Sequence, residues 1–224
     1  MASKLITEHD VLQASRKGTK VVSVDERTII TPSARDAATR LNITFSASGQ
    51  SAQVQSKGDS IAMHRPTSGQ KKTEILALGS DHGGFAMKEL LRAFLLESGY
   101  TVADVGTHSA QPCDYPDYAY AVASMVAQGS ANRGIMIDSV GIASAIVCNK
   151  VPGVRAAAPT SEFAARSSRE HNDANVLTLG GKTMGIEQAK TLVSVWLETW
   201  FGGGRHQTRL KKIEDLEQKF SRRS

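Results

Sequence analysis

Residues 74–84 read EILALGSDHGG, and this stretch decides the fold. Its first half is a short apolar run that ends in a glycine, which is typical of a buried parallel strand. Residues 85–95 then carry apolar side chains at helical spacing, and Ser98-Gly99 follows as a helix stop. A strand, a polar turn and an amphipathic helix in this order predict the first unit of an α/β domain.

The same alternation continues toward the end of the chain. It predicts strands over residues 100–106, 133–137, 154–158 and 176–180, and helices over residues 118–128, 143–150 and 187–201. The predicted fold is therefore α/β with a doubly wound parallel sheet. In such sheets ligands bind beyond the carboxyl ends of the strands, so the residues after each strand are the first candidates for a site.

The part of the chain before this domain has a different composition. Residues 1–45 predict a small module with a helix beginning near Thr7, a strand over residues 20–24 and a second helix opening at Thr31. Residues 46–72 contain no aromatic side chain and are rich in Ser, Gln and Gly, which predicts a flexible linker. Residues 73–224 are then the α/β domain.

Composition limits the class of protein. The 224 residues are 40% hydrophobic and 22% charged, as in a folded globular protein. No apolar run reaches the roughly 18 residues that a membrane span needs, and the first residues lack a secretory pattern. Two cysteines are too few for a disulfide framework. We expect a cytoplasmic protein.

The net charge of +5 is concentrated at one end of the chain. The segment from Arg205 to Arg223 holds seven basic and three acidic residues, and so it carries +4 of that charge. Because aromatic side chains do not alternate with these charges, a local anion site and a solvated tail are favoured over nucleic-acid binding.

Polar and titratable residues gather after the predicted strands. They read GSDHGG at 79–84, DSVG at 138–141, SREHNDAN at 168–175 and GGGRHQTR at 202–209. The first loop lacks the GxGxxG pattern, so no dinucleotide is expected. His and Cys show no spacing typical of a metal site. The sequence therefore predicts neither a cofactor nor a metal.

Two of these loops suit a phosphorylated sugar. At Asp81 and His82 a carboxylate can accept hydrogen bonds from hydroxyl groups, and an imidazole can contact hydroxyl or phosphate; the alternative is that Asp81 caps the next helix. Arg205 and Arg209 place two guanidiniums four residues apart on a short helical turn, with His206 between them. This set matches phosphate oxygens, and the alternative is a solvated basic helix end.

His171 is the strongest candidate for acid–base chemistry by residue type. An imidazole titrates near neutral pH and can move the proton that opens a sugar ring. Asn172 or Asn175 could hold the oxygen of an enediolate. The alternative is that His171 is a hydrogen-bonded surface residue.

In sequence order, GSDHGGFAMK, DYPDYA, NKVPGVRAA, SREHNDANVLTLG and GGRHQTR resemble the ribose-5-phosphate isomerase B and galactose-6-phosphate isomerase family. The resemblance implies a Rossmann-like subunit in a homodimer or homotetramer, with the site between two subunits. It also implies metal-free aldose–ketose isomerisation of ribose 5-phosphate or a related sugar phosphate.

The resemblance assigns roles to single residues. It implies that His171 opens the sugar ring and reaches the neighbouring subunit's site, and that Asn172 rather than Asn175 lies near the substrate. Tyr115 lines the site by resemblance, although an aromatic beside a proline is commonly simple packing. Lys182 stands where the family has arginine, so it keeps the charge but loses the bidentate geometry toward phosphate.

The chain departs from the family at residues 137–150, which read IDSVGIASAIVCNK where the family reads ICGTGIGMSIAANK. Asp138 replaces the cysteine that moves the sugar's carbon-bound proton, Ser139 replaces a glycine, and Val140 replaces the threonine that assists ring opening. We count Asp138 and Ser139 as catalytic candidates. Gly141 counts as substrate-binding, because backbone N–H groups of this loop would form an anion hole.

Three interpretations of this departure stay open. Asp138 could be the base, provided that the site raises its pKa. The substrate could be a different phosphorylated sugar, with Val140 removing a hydroxyl group. Lastly, the fold could bind a sugar phosphate or serve as a scaffold without turnover, or supply His171 to an unlike subunit. The glutamate base that another branch of the family has at the position of Ser144 is missing too.

Within residues 1–45, the stretches KLITE and IITPSARD resemble the short N-terminal module of some bacterial microcompartment enzymes. The resemblance implies that this module docks the enzyme to a shell or to a neighbouring enzyme. The alternative is an ordinary extension that pads the oligomer.

Overall fold

A computed structural model describes residues 5–25, 28–47 and 74–221. The chain falls into two compact units, Met1–His64 and Arg65–Ser224. Of the predicted linker, residues 48–72 lie outside the described residues, whereas residues 46 and 47 end a β-strand.

Over residues 5–25 and 28–47, the first unit holds two helices and two small parallel sheets. Its elements are β1 (Leu5–Ile6), α1 (Glu8–Arg16), β2 (Val21–Val24), β3 (Ile29–Ile30), α2 (Pro32–Arg40) and β4 (Thr44–Ala47). Strand β1 pairs with β3, and β2 pairs with β4. The predicted helix starts are confirmed: Thr7 precedes α1, and the Thr31 hydroxyl accepts a hydrogen bond from the Ala34 N–H at 3.2 Å.

The second unit is a five-stranded sheet with helices between its strands. Its elements are β5 (Ile75–Ser80), α3 (Phe85–Glu97), β6 (Thr101–Asp104), α4 (Tyr115–Ala127), β7 (Arg133–Asp138), α5 (Ile142–Cys148), β8 (Ala156–Ala157), α6 (Glu162–Glu170), β9 (Val176–Gly180), α7 (Ile186–Glu198) and α8 (Arg205–Ser221). The strands are all parallel, in the order β6-β5-β7-β9-β8. This arrangement confirms the predicted α/β fold.

Helices cover both faces of the sheet. Because successive strand residues point to opposite faces, Leu76 and Leu78 pack into a core with α3, α6 and α7, whereas Ala77 packs into a second core with α4 and α5. The central strands are therefore buried on both sides, which is why they are continuously apolar in sequence.

Two helices differ from the prediction. Helix α6 was not predicted, because its sequence EFAARSSRE has few apolar residues. Helix α8 has 17 residues and is not a short turn. Its first turn carries Arg205 and leads to Arg209, the two basic residues that the sequence analysis selected. The sequence did not predict the full length of the helix, because Leu210 is its only buried apolar side chain. None of the described helices is long and apolar enough to cross a membrane.

The order of the strands marks one position for a ligand. From β5 the chain moves outward to β6 on one side and then returns to β7 on the other side. The carboxyl ends of β5 and β7 therefore meet at the topological switch point, where open α/β sheets bind their ligands. Ser80 and Ile137 are register partners there, and Asp81 and Asp138 follow them directly.

Candidate active site

Asp81 and His82 follow β5 at the switch point. The Asp81 N–H donates to the Ile137 carbonyl at 3.2 Å, and its Oδ1 accepts from the Gly84 N–H at 3.0 Å. Gly84 must be a glycine, because a Cβ there would collide with the Ile137 carbonyl. Asp81 is thus buried and braces the turn before α3, but it does not cap that helix, whose N-cap residue is Gly84; His82 is exposed.

The His82 imidazole has a neighbour that sequence reasoning missed. Its Nδ1 lies 3.1 Å from the Cys113 carbonyl oxygen and 3.2 Å from the Cys113 nitrogen, with the Cys113 Sγ at 3.9 Å. The Asp81 Oδ2 is 4.0 Å from the His82 Nδ1. No spacing in the sequence signals this contact, because Cys113 reaches the site through the long loop between β6 and α4.

The carboxylate of Asp138 is enclosed by its own loop. Its Oδ1 accepts from the Val140 N–H at 2.6 Å and also from the Gly141 N–H, and its Oδ2 accepts from the Ser144 N–H at 3.0 Å and the Ser144 Oγ at 2.5 Å. A carboxylate offers about four lone-pair positions, so all of them are taken. In this arrangement Asp138 anchors the loop before α5.

These contacts also set the charge of Asp138. Burial acts to raise its pKa, but hydrogen bonds from the Ser144 side chain and from the backbone of Gly141, Val140 and Ser144 outweigh burial, and the pKa lies below its ordinary value of 3.8. The group is a stable anion at neutral pH. The site therefore does not supply the increase in pKa that a carboxylate base needs.

Gly141 makes this enclosure possible. Its φ of 89° lies in the left-handed region, and a Cβ there would stand 2.9 Å from the Leu179 carbonyl carbon. The Gly141 N–H, which we expected to bind substrate, donates to the Asp138 carboxylate.

Three further candidates are Ser139 and Lys182, which lie after β7 and β9, and Tyr115. The Ser139 side chain packs closely against Gly83, and its carbonyl accepts from the Lys182 N–H at 3.0 Å. The Lys182 side chain is exposed. Tyr115 begins α4 and is partly buried against the second core, so packing accounts for much of its surface.

A second group forms around a stacked pair of histidines. His171 follows α6 and His206 lies in the first turn of α8, yet their rings stack with centroids 4.3 Å apart and planes at 12°. The His171 Nδ1 is 3.0 Å from the Ser167 Oγ. His206 is buried, whereas His171 is partly exposed. The structure thus brings a catalytic candidate and a phosphate-binding candidate together.

The two arginines of α8 differ in exposure. Arg205 is half-buried beside His206, and Arg209, one turn later, is exposed. They follow the Gly202–Gly204 run at the start of the helix, where backbone N–H groups and the helix dipole favour an anion.

The structure separates the two candidate asparagines. The Asn175 side chain binds the backbone at both ends, since its Oδ1 accepts from the Arg155 N–H at 2.8 Å and its Nδ2 donates to the Gly153 carbonyl at 2.8 Å. The Asn172 side chain is exposed, next to His171. This supports the choice of Asn172 as the residue that can meet a ligand.

Cys148 offers no replacement thiol for the loop. Its side chain is buried in the second core and donates to the Ala119 carbonyl, and burial raises the pKa of the thiol to about 12. Among the described residues, no group of three His, Cys, Asp or Glu side chains could hold a metal ion.

Known proteins resemble the second unit. The sequence profile of the family described as Ribose/Galactose Isomerase matches residues 76–213. Ribose-5-phosphate isomerase B of Escherichia coli (strain K12) is 43% identical over 144 residues, which are 64% of this chain and 97% of that protein. D-erythrulose-4-phosphate isomerase of Pectobacterium atrosepticum is 35% identical over 142 residues, which are 62% and 91% of the two chains.

The fold agrees with a solved relative. The structure of Clostridium thermocellum ribose-5-phosphate isomerase B matches with a TM-score of 0.65 at 46% identity, covering 65% of this chain and 99% of that one. The family resemblance and the Rossmann-like fold expected from the sequence are confirmed.

Proposed function

Because the chain belongs to the Ribose/Galactose Isomerase family, we propose that it interconverts the aldose and ketose forms of a phosphorylated sugar. The observation that carries the proposal is the stack of His171 on His206 beside Arg205. It joins an imidazole suited to proton transfer to a helix start suited to phosphate.

The proposed reaction moves two protons and needs no redox partner. A base removes the proton from the carbon that bears the hydroxyl group, and the carbonyl oxygen gains a proton, which gives an enediol. The hydroxyl group of the first carbon then loses its proton and the neighbouring carbon gains one, which completes the isomerisation. We propose that His171 opens the ring of a cyclic substrate, that Asn172 holds an enediolate oxygen, and that no metal takes part; treatment with a chelator should leave turnover unchanged.

The phosphate end of the proposal rests on Arg205, Arg209 and His206, with Lys182 as a weaker point charge. Guanidinium groups bind phosphate oxygens through two parallel hydrogen bonds, which ammonium groups cannot do. The double variant Arg205→Ala/Arg209→Ala should raise KM strongly and lower kcat less. It should also abolish the thermal stabilisation that a sugar phosphate gives to the wild-type chain.

The role of Asp138 has two forms that can be separated. The sequence-based role as base stays a prediction, and its four hydrogen bonds and lowered pKa support the role of anchor instead. Asp138→Asn should abolish turnover at unchanged stability if Asp138 is the base. If it is an anchor, the same variant should lose stability, because its amide N–H groups would face the donors of Ser144.

The names of the relatives suggest the substrates to test first. A pentose 5-phosphate such as ribose 5-phosphate comes first, and a tetrose 4-phosphate comes second. In a tetrose 4-phosphate the phosphate blocks the hydroxyl that would close the ring, so ring opening is not needed. A panel of phosphorylated aldoses and ketoses, assayed with the full chain, tests the proposal; no turnover on any of them would contradict it.

We further propose a homodimer with sites between its subunits. Ile142 and Ile146 lie one turn apart on α5 and are 60% and 58% exposed, and α8 exposes Leu216 and Phe220 in the same way. Rows of exposed apolar side chains mark interfaces. Light scattering should give the mass of a dimer, and Ile146→Glu should give monomers without turnover.

A second candidate function is sugar-phosphate binding without turnover, in a scaffold or beside an unlike subunit that supplies the base. The occupied carboxylate of Asp138 favours it. Thermal stabilisation by sugar phosphates without isomerisation by the chain alone would select this function.

For residues 1–45 we propose docking to a bacterial microcompartment shell or to one of its enzymes. The unit has its own apolar core, made of Ile6, Val11, Ala34, Ala37, Ala38 and Ile43, which is consistent with a separate module. Deletion of residues 1–45 should abolish co-purification with shell proteins and leave turnover intact. Unchanged co-purification would contradict docking.

A further inference from the structure

The loop that carries His171 and Asn172 ends α6 in an unusual way. The Asp173 N–H donates to the Arg169 carbonyl at 3.0 Å, and the Ala174 N–H donates to the Ser168 carbonyl at 2.9 Å. The bond from Asp173 to Arg169 alone is a common helix ending, in which one residue lies in the left-handed region and is usually a glycine. Here that residue is Asp173, with φ 45°.

Two arginines hold the Asp173 carboxylate. The Arg169 Nη1 donates to Oδ1 at 2.7 Å, and the Arg155 Nη2 donates to Oδ2 at 2.9 Å. Arg169 comes from α6 itself and is buried, whereas Arg155 lies just before β8. Each carboxylate oxygen therefore has its own guanidinium partner.

Arg155 also binds the backbone of the loop. Its Nε lies 3.1 Å from both the Asn172 and the Asp173 carbonyl oxygens. On the other side, the Asn175 side chain holds the backbone at Gly153 and Arg155. The loop after α6 is thus bound to the residues just before β8 through the Asp173 carboxylate, the Asn172 and Asp173 carbonyls and the Asn175 side chain.

We propose that Arg155, Asp173 and Arg169 form a clamp that positions His171 and Asn172 for the reaction. This inference rests on the proposed function of those two residues. Because the clamp takes up the carboxylate and the carbonyls of the loop, it leaves the imidazole and the carboxamide before Asp173 available to a ligand. It also fixes the position in which the His171 ring stacks on the His206 ring.

The choice of residue at position 173 supports a positioning role. A glycine would adopt a positive φ at lower cost than an aspartate does. The aspartate is explained by its carboxylate, which reaches two guanidiniums at once. If position 173 only ended the helix, Asp173→Gly would be as active as the wild type.

The test compares Asp173→Asn and Asp173→Gly with the wild type. Asparagine tolerates the same backbone conformation, but its amide N–H groups would face one guanidinium. Both variants should lose roughly ten- to a hundredfold in kcat with KM nearly unchanged, because a misplacement of about 1 Å costs that much. Wild-type kcat in Asp173→Gly would overturn the proposal.

Arg155 provides a second variant that leaves α6 intact. Arg155→Ala should lower kcat as Asp173→Asn does, and Arg155→Lys should recover part of the loss because it restores one charge. Arg92→Ala is the matched control, since Arg92 pairs with Glu89 on the exposed surface of α3. Equal kcat in Arg155→Ala and Arg92→Ala would overturn the clamp.

A measurement without substrate separates the clamp from the proposed function. Stacked imidazoles shift each other's ring-proton resonances in NMR spectra, and His206→Asn assigns the pair. Asp173→Asn and Arg155→Ala should move the His171 ring signals toward those of an unstacked histidine, whether or not the chain turns over any sugar. Unchanged ring signals in both variants would overturn the proposal.

Discussion

Two carboxylates in this domain, Asp138 and Asp173, lie in polar loops and are bound in opposite ways. The Asp138 carboxylate accepts hydrogen bonds from residues two to six positions further along the chain, in its own loop and in the first turn of α5. Asp173 is bound by arginines, one of them 18 residues away. The difference shows that a polar loop after a strand or helix can take part in a reaction only through side chains that the loop does not already bind itself.

The comparison also separates what this chain shares with its family from what it has changed. The Asp173 loop keeps the family's motif and leaves His171 and Asn172 available. The Asp138 loop departs from the motif, and its carboxylate accepts the backbone N–H groups of Val140, Gly141 and Ser144. Catalysis by His171 and anchoring by Asp138 therefore predict variants with different signatures.

The largest effect is expected for His171→Ala. If the Asp173 loop is the reactive one, loss of the imidazole should lower kcat on a ring-closed substrate by roughly 10²- to 10⁴-fold, as expected for loss of a general acid–base group. The variant should fold normally, because His171 is partly exposed. Steady-state kinetics measure the change.

His108→Ala is the matched control for that prediction, since His108 is exposed and has no role in either loop. It should keep wild-type kcat. Similar kinetics for His171→Ala and His108→Ala would remove the Asp173 loop from the mechanism.

The second largest effect concerns stability. Asp138→Ala leaves three backbone N–H groups and one hydroxyl group without their buried acceptor, so it should cost on the order of 3–5 kcal/mol in the free energy of unfolding. Urea denaturation measures the loss. Asp215→Ala, which removes an exposed aspartate of α8, should cost less than about 1 kcal/mol; equal costs would show that Asp138 is no anchor.

Much of the fold could be predicted from the sequence, because strands that are buried on both faces are apolar at successive positions. The run from Leu76 to Leu78 is apolar at every position because both faces of β5 are covered. Helix α6 carries no such signal. Ser161 caps it, since the Ser161 hydroxyl accepts from the Ala164 N–H at 3.3 Å, and its buried Arg169 is a residue type that is usually exposed.

The candidate site was predictable by residue type but not by contact. The position of Asp81 after a predicted strand, the residue type of His171 and the basic run that begins at Arg205 were enough to select these residues as candidates. The enclosure of Asp138 depends on the left-handed turn at Gly141, and the clamp on Asp173 depends on the pairing of β8 with β9. Neither contact has a local signal, because each arises only when the backbone has folded.

A smaller effect should separate the anchor from its partner. Ser144→Ala removes one hydrogen bond to the Asp138 carboxylate and keeps the three from the backbone, so it should cost about 1.5–3 kcal/mol. The cost must be smaller than that of Asp138→Ala in the same denaturation experiment. In the double variant Asp138→Ala/Ser144→Ala the two costs should not add, because the residues share one interaction.

The smallest effect is the dependence of that cost on pH. Since the pKa of Asp138 is lowered in the folded chain, its stabilisation is fully present above the ordinary value of 3.8 and is lost as the pH falls through the lower folded value. The difference in unfolding free energy between the wild type and Ser144→Ala should therefore be constant from pH 7 to about pH 5 and shrink below pH 3.8. Denaturation series at these pH values measure it. If the difference persisted undiminished into strong acid, Ser144 would stabilise the loop without the charge of Asp138. The Asp138 loop would then differ from the Asp173 loop, which is bound through charge, in its geometry alone.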